Sequence, residues 1–406
     1  MEHVREDLSS QGEMVEPQDL TERTRRWALT MEGHHSQVAG IRQAHSGEPL
    51  KLGDLDIADR LAREAHEERF LAPGATRAHG AGNRPVPEEP DPWRTCFERD
   101  RDRILHEATA FRRLAGKTQV FIFPEDHQRT RLTHALEVAQ VARGIGSALR
   151  LNPALLEAIA LGHDCGHGPF GHASESALDP FVPGGFDHAP WGADITLAPL
   201  NLTAEVSDGI RNHSWSRPRP ATPEGEVCAL ADRIAYVTHD AEDAARAGIV
   251  SLSDLPKVVL ETAGSSRSEQ LDFFIKDVVR TSQAAGVVAM SEEMAEVLAS
   301  LRSWNYERIY LRPESLEQTK MVHRMLRALV EHYVAHPEHL PEGYRPLEGY
   351  LRQEPLGPSG QEDLLRAAVT YVAGMTDRFA CAQASNLLDW PTTEMPQGFD
   401  LHARVG

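Results

Sequence analysis

The run HDCGHGPFGH, residues 163–172, packs three histidines and an aspartate into ten positions. Imidazole and carboxylate together suit a divalent transition metal, and imidazole also moves protons near neutral pH. His163 and Asp164 are neighbours, and neighbouring side chains on a helix diverge by about 100°. Both reach one ion only if the helix end turns towards it. A histidine–aspartate dipeptide is common by chance, so the weight falls on His134, about one helix upstream, and Asp232, on a helix well downstream. His134, His163, Asp164 and Asp232 then make four ligands drawn from three helices, as metal sites in helical bundle cores require. Mn, Fe, Co or Ni suits these donors, and Mg suits them with more water ligands. Plainer readings exist for each residue alone: His134 as the half-buried side chain of an amphipathic helix, Asp232 as a partner of Arg233. The glycine-broken turn beside the dipeptide favours the metal.

A metal-dependent phosphohydrolase also needs cationic and proton-transfer groups around the ion. Arg131, one helical turn before His134, points to the same face and can clamp phosphate oxygens. His167 and His172 follow the ligands in a segment broken by Gly166, Gly168, Pro169 and Gly171, where they can transfer protons. Asp232, Tyr236 and Asp240 fall at i, i+4 and i+8, so one helix face presents a ligand, a phenol and a carboxylate. Arg233 offers a phosphate contact or an ordinary surface salt bridge. From Arg99 to Arg131 there are eight basic residues against five acids, a local excess of +3 in a chain of net charge −19. That window is expected to hold phosphate, the alternative being a solvated helix face. The overall negative charge argues against broad binding to nucleic acid or anionic membrane.

The elements that must position these groups are helices. The 406 residues are 41% hydrophobic, but aromatics make up only 6%, and alanine, leucine, arginine and glutamate run through most segments, a balance that favours helix over sheet. Helical periodicity is expected over 55–70, 100–118, 132–149, a stretch opened by the Asn152-Pro153 cap, 225–248 closed by Gly248, and 253–263, 268–282, 291–303, 314–335 and 361–381. QVFIFPED is expected to be a brief strand or turn. Residues 1–54 are expected to form a mobile extension, and 55–406 an all-α core with its metal-binding region at about 92–250 and a C-terminal helical region at about 251–390. The acidic N-terminus has no apolar signal core, no stretch approaches the roughly 20 apolar residues of a membrane span, and the four cysteines form no CxxC pair. A cytoplasmic protein fits best.

The segments RDRILHEATAFRRLAGKTQVF, RTRLTHALEVAQVAR, HDCGHGPFGHASE, LNLTAEVSDGIRNHS, LADRIAYVTHDAEDAARAG and YVAGMTDRF resemble, in order from about Ala62 to Leu388, the HD-domain deoxynucleoside triphosphate triphosphohydrolases, nearest their bacterial dGTPase-like branch. The resemblance implies the all-α HD fold and one-step cleavage of a dNTP, with dGTP a candidate preference, to deoxynucleoside and tripolyphosphate. It implies a divalent metal, a homo-oligomer, and a nucleotide or single-stranded DNA effector. His172 matches the family's acid or base, with Glu175 three residues on to orient it, and His188 matches a further active-site histidine. Tyr236 and Asp240 match contacts to phosphate or sugar and to the sugar 3′-hydroxyl, and Gln119 is placed near sugar or base. One departure stands out. After Phe186-Asp187-His188 the bacterial relatives continue with a polar Asn-Glu-Gln-Ser-like run, whereas this chain has Ala189-Pro190, which cannot supply those hydrogen bonds. YVAGMTDRF is expected to pack a late helix behind the site. Other HD phosphohydrolases, acting on nucleoside monophosphates, cyclic nucleotides or (p)ppGpp, share the metal ligands, and the departure after His188 motivates a third reading as a nucleotide sensor without catalysis.

Overall fold

Sequences rich in straight-chain helix formers and poor in β-branched runs bury their apolar surface helix on helix. The computed structural model describes residues 21–31, 33–36, 38–120, 128–345 and 358–396, and these are overwhelmingly helical. The chain divides into two units, Met1–Ile57 and Ala58–Gly406. In the first, α1 (Glu22–Thr30) precedes a small hairpin of β1 (His34–His35) and β2 (Arg42–Gln43), antiparallel with His34 opposite Gln43. The expectation of a mobile extension lies, for residues 1–20, outside the described residues, as does most of QVFIFPED.

The second unit runs α2 (Arg60–Phe70), α3 (Cys96–His106), α4 (Thr109–Arg113), α5 (Arg131–Leu149), α6 (Pro153–Gly162), α7 (His172–Leu178), α8 (His188–Trp191), α9 (Ala204–Arg211), α10 (Pro223–Arg246), α11 (Lys257–Thr262), α12 (Arg267–Ala285), α13 (Glu292–Asn305), α14 (Pro313–Ala335), α15 (Pro358–Ala373) and α16 (Asp377–Leu388). Local chemistry sets the boundaries that matter for the site. Thr130 and Thr133 form a reciprocal cap that starts α5, so Arg131 and His134 fall in its first turn. Asn152 accepts from the backbone N–H groups of Ala154 and Leu155 ahead of Pro153 and starts α6. Thr222 and Pro223 start α10, and Gly248, at φ +71°, follows its last turn in the left-handed region that lets the chain leave the helix. The helix expected over 361–381 is two helices, parted at Gly374, with Thr376 capping the second.

Two apolar cores result. One gathers α3, α5, α6, α9, α10, α12 and α13 around residues such as Ile104, Val141, Ile159, Ile234 and Leu301. The other gathers α7, α14, α15 and α16 around Leu178, Leu326, Tyr333, Val369 and Ala380. All four cysteines are buried and free. No helix among the described residues is long and apolar enough to cross a membrane.

The basic window is corrected here. Most of its cations are consumed by structure: Arg99 and Arg103 pair with Glu88, and Arg101 with Asp102 and Glu157. Arg113 donates to the Gly374 carbonyl, and Arg129 pairs with Glu137 and Asp243. Acids from elsewhere in the chain neutralise the excess that a linear count reports. Only Arg131 of this basic set lines the cleft described next.

A candidate metal and phosphate site

The first turn of α5, the end of α6 and the middle of α10 converge on the floor of a cleft of about 360 Å³. His134 Nε2 lies 3.1 Å from Asp232 Oδ1 and 3.3 Å from His163 Nε2. His163 Nε2 lies 3.4 Å from Asp164 Oδ1 and 3.8 Å from Asp232 Oδ1. The four expected ligands are therefore one cluster, and all but Asp232 are fully buried. His163 Nδ1 donates to the Ala160 carbonyl at 2.7 Å, which fixes the tautomer and leaves Nε2 as a bare lone pair aimed at the cluster. Two carboxylates and two imidazole nitrogens this close carry more lone-pair density than neutral packing holds together, and a divalent cation fits them. HD domains bind divalent metals, and His134, His163 and Asp164 can hold one here.

Arg131 is fully buried and donates to Asp164 Oδ2 at 2.8 Å. Burial alone would push the Asp164 carboxyl up, but the Arg131 charge and then His163 and His167 hold it well below the usual carboxylate range. The guanidinium reaches this position across Gly171, which sits at φ +61°. A Cβ there would meet Arg131 Nη2 at 2.3 Å, so both the backbone angle and the close approach require glycine.

Around the cluster stands a ring of further histidines. His188 Nδ1 and the His188 backbone N–H both donate to Glu175 Oε1, at 2.5 and 3.1 Å. His188 Nε2 lies 3.1 Å from His213 Nε2, while His213 Nδ1 donates to the Ile210 carbonyl at 2.7 Å. His213 Nε2 is thus an acceptor, and the proton between the rings belongs to His188. Burial opposes that charge, but the Glu175 carboxylate overcomes it and raises the His188 pKa; burial pushes His213 down to about 3. His167 stacks on His188 with ring centroids 3.7 Å apart, its Nε2 3.2 Å from Asp164 Oδ1. His172, on the exposed wall of the cleft, turns its Nδ1 towards Arg131 Nη2 at 3.4 Å, and desolvation and then that cation lower its pKa.

Two expectations change. Glu175 orients His188 rather than His172, because both the backbone N–H and Nδ1 of His188 reach its carboxylate. The Ala189-Pro190 departure does not loosen His188, since Asp187 caps α8 through the Ala189 N–H at 3.0 Å and Glu175 and His213 hold the ring.

The far end of the cleft is aromatic and cationic. Tyr236 Oη accepts from Arg302 Nε at 2.9 Å, and Arg302 Nη2 donates to Tyr306 Oη at 3.2 Å. Asp240 lines the cleft, where Tyr310 donates to its Oδ2, while its buried Oδ1 lies 3.1 Å from His239 Nε2. Tyr306–Tyr310 is a π-helical turn that follows α13, an irregularity that swings both phenols inward. Arg233 lies over the half-exposed Trp215 ring at 3.9 Å, a cation–π contact rather than the surface salt bridge weighed against a phosphate role. Gln119 lines the cleft with a buried, unpartnered Oε1.

Sequence reasoning missed His213, Arg302, Tyr306, Tyr310, Lys117 and Asp377. His213 stands in RNHS, inside a quoted segment, and its being a sixth histidine after His134, His163, His167, His172 and His188 was its only signal. Lys117 and Asp377 brace the loop from behind. Lys117 Nζ donates to the His167 carbonyl and, at 2.9 Å, to the Ala373 carbonyl, and burial pushes its pKa down to about 8. Asp377 accepts from the backbone N–H groups of Phe170 and Thr118, at 2.7 and 2.8 Å, and from the Thr118 hydroxyl at 2.7 Å. YVAGMTDRF is therefore more than packing: its aspartate ties the histidine loop to the start of α16.

A buried His-His-Asp-Asp cluster on three helices of an all-α fold is the mark of one class, and the HD domain family matches residues 131–237, with a phosphohydrolase-associated domain matching 288–386. The chain is 41% identical over 329 residues to a deoxyguanosinetriphosphate triphosphohydrolase-like protein of Caldanaerobacter subterraneus, covering 79% of this chain and 93% of that one. It is 43% identical over 319 residues to its namesake in Clostridium perfringens, covering 75% and 90%, and 38% identical over 352 residues to that of Desulfatibacillum aliphaticivorans, covering 81% and 98%. It belongs to the dGTP triphosphohydrolase-like family of HD-domain phosphohydrolases.

Proposed function

We propose that the protein hydrolyses deoxynucleoside triphosphates in one step to deoxynucleoside and tripolyphosphate. The observation that carries this reading is the coupling, in one cleft, of the ligand cluster, the Arg131 clamp and a His188 held on the Glu175 carboxylate. A divalent cation held by His134, His163, Asp164 and Asp232 supplies Lewis-acid charge to the α-phosphate and the attacking water. Arg131 binds phosphate oxygens and offsets their charge. His188, whose pKa the Glu175 carboxylate raises, is placed to hold at Nε2 the proton that the departing 5′ oxygen needs. His172, neutral by its lowered pKa, is available to take the proton of the attacking water. Arg233 and Arg302 extend the positive lining towards the β- and γ-phosphates, and Tyr236, Asp240 and Gln119 bind the nucleoside end.

We further assign residues 55–406 to the catalytic unit, Mn, Mg, Fe or Co to the metal site, a homo-oligomeric and cytoplasmic state to the protein, and dGTP as its preferred substrate under a nucleotide or single-stranded DNA effector. The resemblance in sequence and the names of the relatives support these assignments. The test incubates purified protein and Mn or Mg with each dNTP and NTP and resolves products by anion exchange. Tripolyphosphate and deoxynucleoside are expected. Pyrophosphate or orthophosphate as first product would sink the reading, and no turnover with retained nucleotide binding would favour the sensor.

A further inference from the structure

Away from the cleft, three histidines meet on the surface at the end of α14. His332 and His336 are four residues apart on one helix face, and His339 belongs to the 3₁₀ turn Pro337–His339 that folds back on it. Their ring centroids form a near-equilateral triangle with sides of 4.8, 5.0 and 5.4 Å. His332 Nε2 and His339 Nδ1 are 2.8 Å apart and share one proton, and His336 Nδ1 lies 3.2 Å from Glu338 Oε1.

The backbone under this triangle is fixed. The His336 N–H donates to the His332 carbonyl at 2.8 Å and the His339 N–H to the His336 carbonyl at 3.0 Å. Leu340 is fully buried, and Arg345 donates to the Glu338 and Leu340 carbonyls at 2.7 and 2.6 Å. Apolar burial gives no reason to gather three imidazoles on an exposed turn, and charging them would set them repelling one another. With nitrogens about 2.0–2.1 Å from a tetrahedral ion, three imidazole centroids stand about 5 Å apart, the spacing found here. His332 and His339 already bring one nitrogen each together, and the His336 ring would turn inward from Glu338 to complete the set on binding.

We propose that His332, His336 and His339, with Glu338 or water as fourth donor, form a second metal site, for a borderline divalent ion such as zinc or nickel. It is separate from the cleft. Its helix packs on α7, where Arg327 donates to the Ser176 and Ala177 carbonyls, so an ion here staples the helix end behind the histidine loop.

The test measures zinc bound by untagged, chelator-stripped protein after dialysis at micromolar zinc, in wild type and in an Asp164→Ala background that weakens the cleft site. In each background, adding His332→Ala and His339→Ala is expected to remove one equivalent of zinc per chain and to abolish the zinc-dependent part of the Tm rise assigned to this site. His336→Ala alone is expected to weaken that equivalent on the order of 10²-fold, since a linked donor acts at high effective concentration. Circular dichroism checks that the surface variants fold. Equal zinc content with and without the histidines, or binding at millimolar zinc only, overturns the proposal.

Discussion

The two ends of the cleft are assembled from very different spans of chain. The histidine end comes from residues 131–232, inside the matched HD domain, and its key groups sit on motifs a few residues long. The tyrosine end joins Tyr236 and Asp240 to Arg302, Tyr306 and Tyr310, which lie in the matched phosphohydrolase-associated domain. Both ends are backed by a carboxylate–histidine pair. Glu175 holds His188 at the first, and at the second Glu137 Oε2 accepts from His239 Nδ1 at 2.9 Å, behind Asp240. The same device serves both ends. It raises the pKa of His188, which lines the cleft beside the ligand cluster, and, with Asp240, that of His239, which lies within the wall and does not line the cleft. The reaction should therefore live at one end and binding at the other.

The largest expected effect is Asp164→Ala. It removes a ligand and leaves Arg131 buried without its partner. Activity should fall by more than about 10³-fold, beyond the 10²–10³ that one electrostatic group costs, and stability by about 3–5 kcal/mol. Steady-state turnover and a denaturant melt check both, and near wild-type turnover would end the idea of a metal cluster. Next, His188→Asn should lower kcat on the order of 10²–10⁴-fold with little change in KM, the range for a general acid. A loss confined to KM would move His188 from chemistry to binding and break the comparison.

Arg302→Ala should do the reverse, raising KM on the order of 10–10²-fold while kcat holds, since a charged hydrogen bond is worth about 1.5–3 kcal/mol. A fall in kcat alone would mean that the tyrosine end also shapes the reacting geometry. The smallest effect on activity is expected from Glu137→Gln. Burial opposes it, but His239 and then Arg129 and Arg267 hold the Glu137 pKa down to about 2 from 4.5. A depressed carboxylate contributes stability above its unfolded pKa and loses it as pH falls through the folded one. The variant should thus be about 2–3 kcal/mol less stable than wild type near neutral pH, with the gap closing between about pH 4.5 and pH 2. Melts across that range, alongside an unchanged kcat, would sharpen the contrast with Glu175.

Legibility follows the same division. The cap of α6 at Asn152-Pro153 and the end of α10 at Gly248 could be read because each depends on residues close in sequence. The caps of α5 and α10, at Thr130 and Thr222, lie before the stretches expected to be helical. The basic window misled because Glu88, Glu157 and Asp243, which neutralise it, come from other segments. Glu175 was matched to His172 by the resemblance, three residues on in sequence, whereas its partner arrives on α8, thirteen residues on. Arg302, Tyr306 and Tyr310 had no local signal, since a π-helical turn after α13 decides where the phenols point. Asp377 was read as packing for a similar reason: its three donors, at Thr118 and Phe170, are more than 200 residues away in sequence.

The four buried cysteines have a practical corollary. Burial raises the Cys165 thiol to about 12 and the Cys381 thiol to about 12, so neither reacts while the fold is closed. Cys165 follows Asp164 in the first core, and Cys381 lies in the second, on the helix whose Asp377 holds the histidine loop from behind. Their alkylation rates are thus two independent clocks, already present in the natural chain, that time how often each half of the molecule breathes and whether filling the cleft slows one half or both.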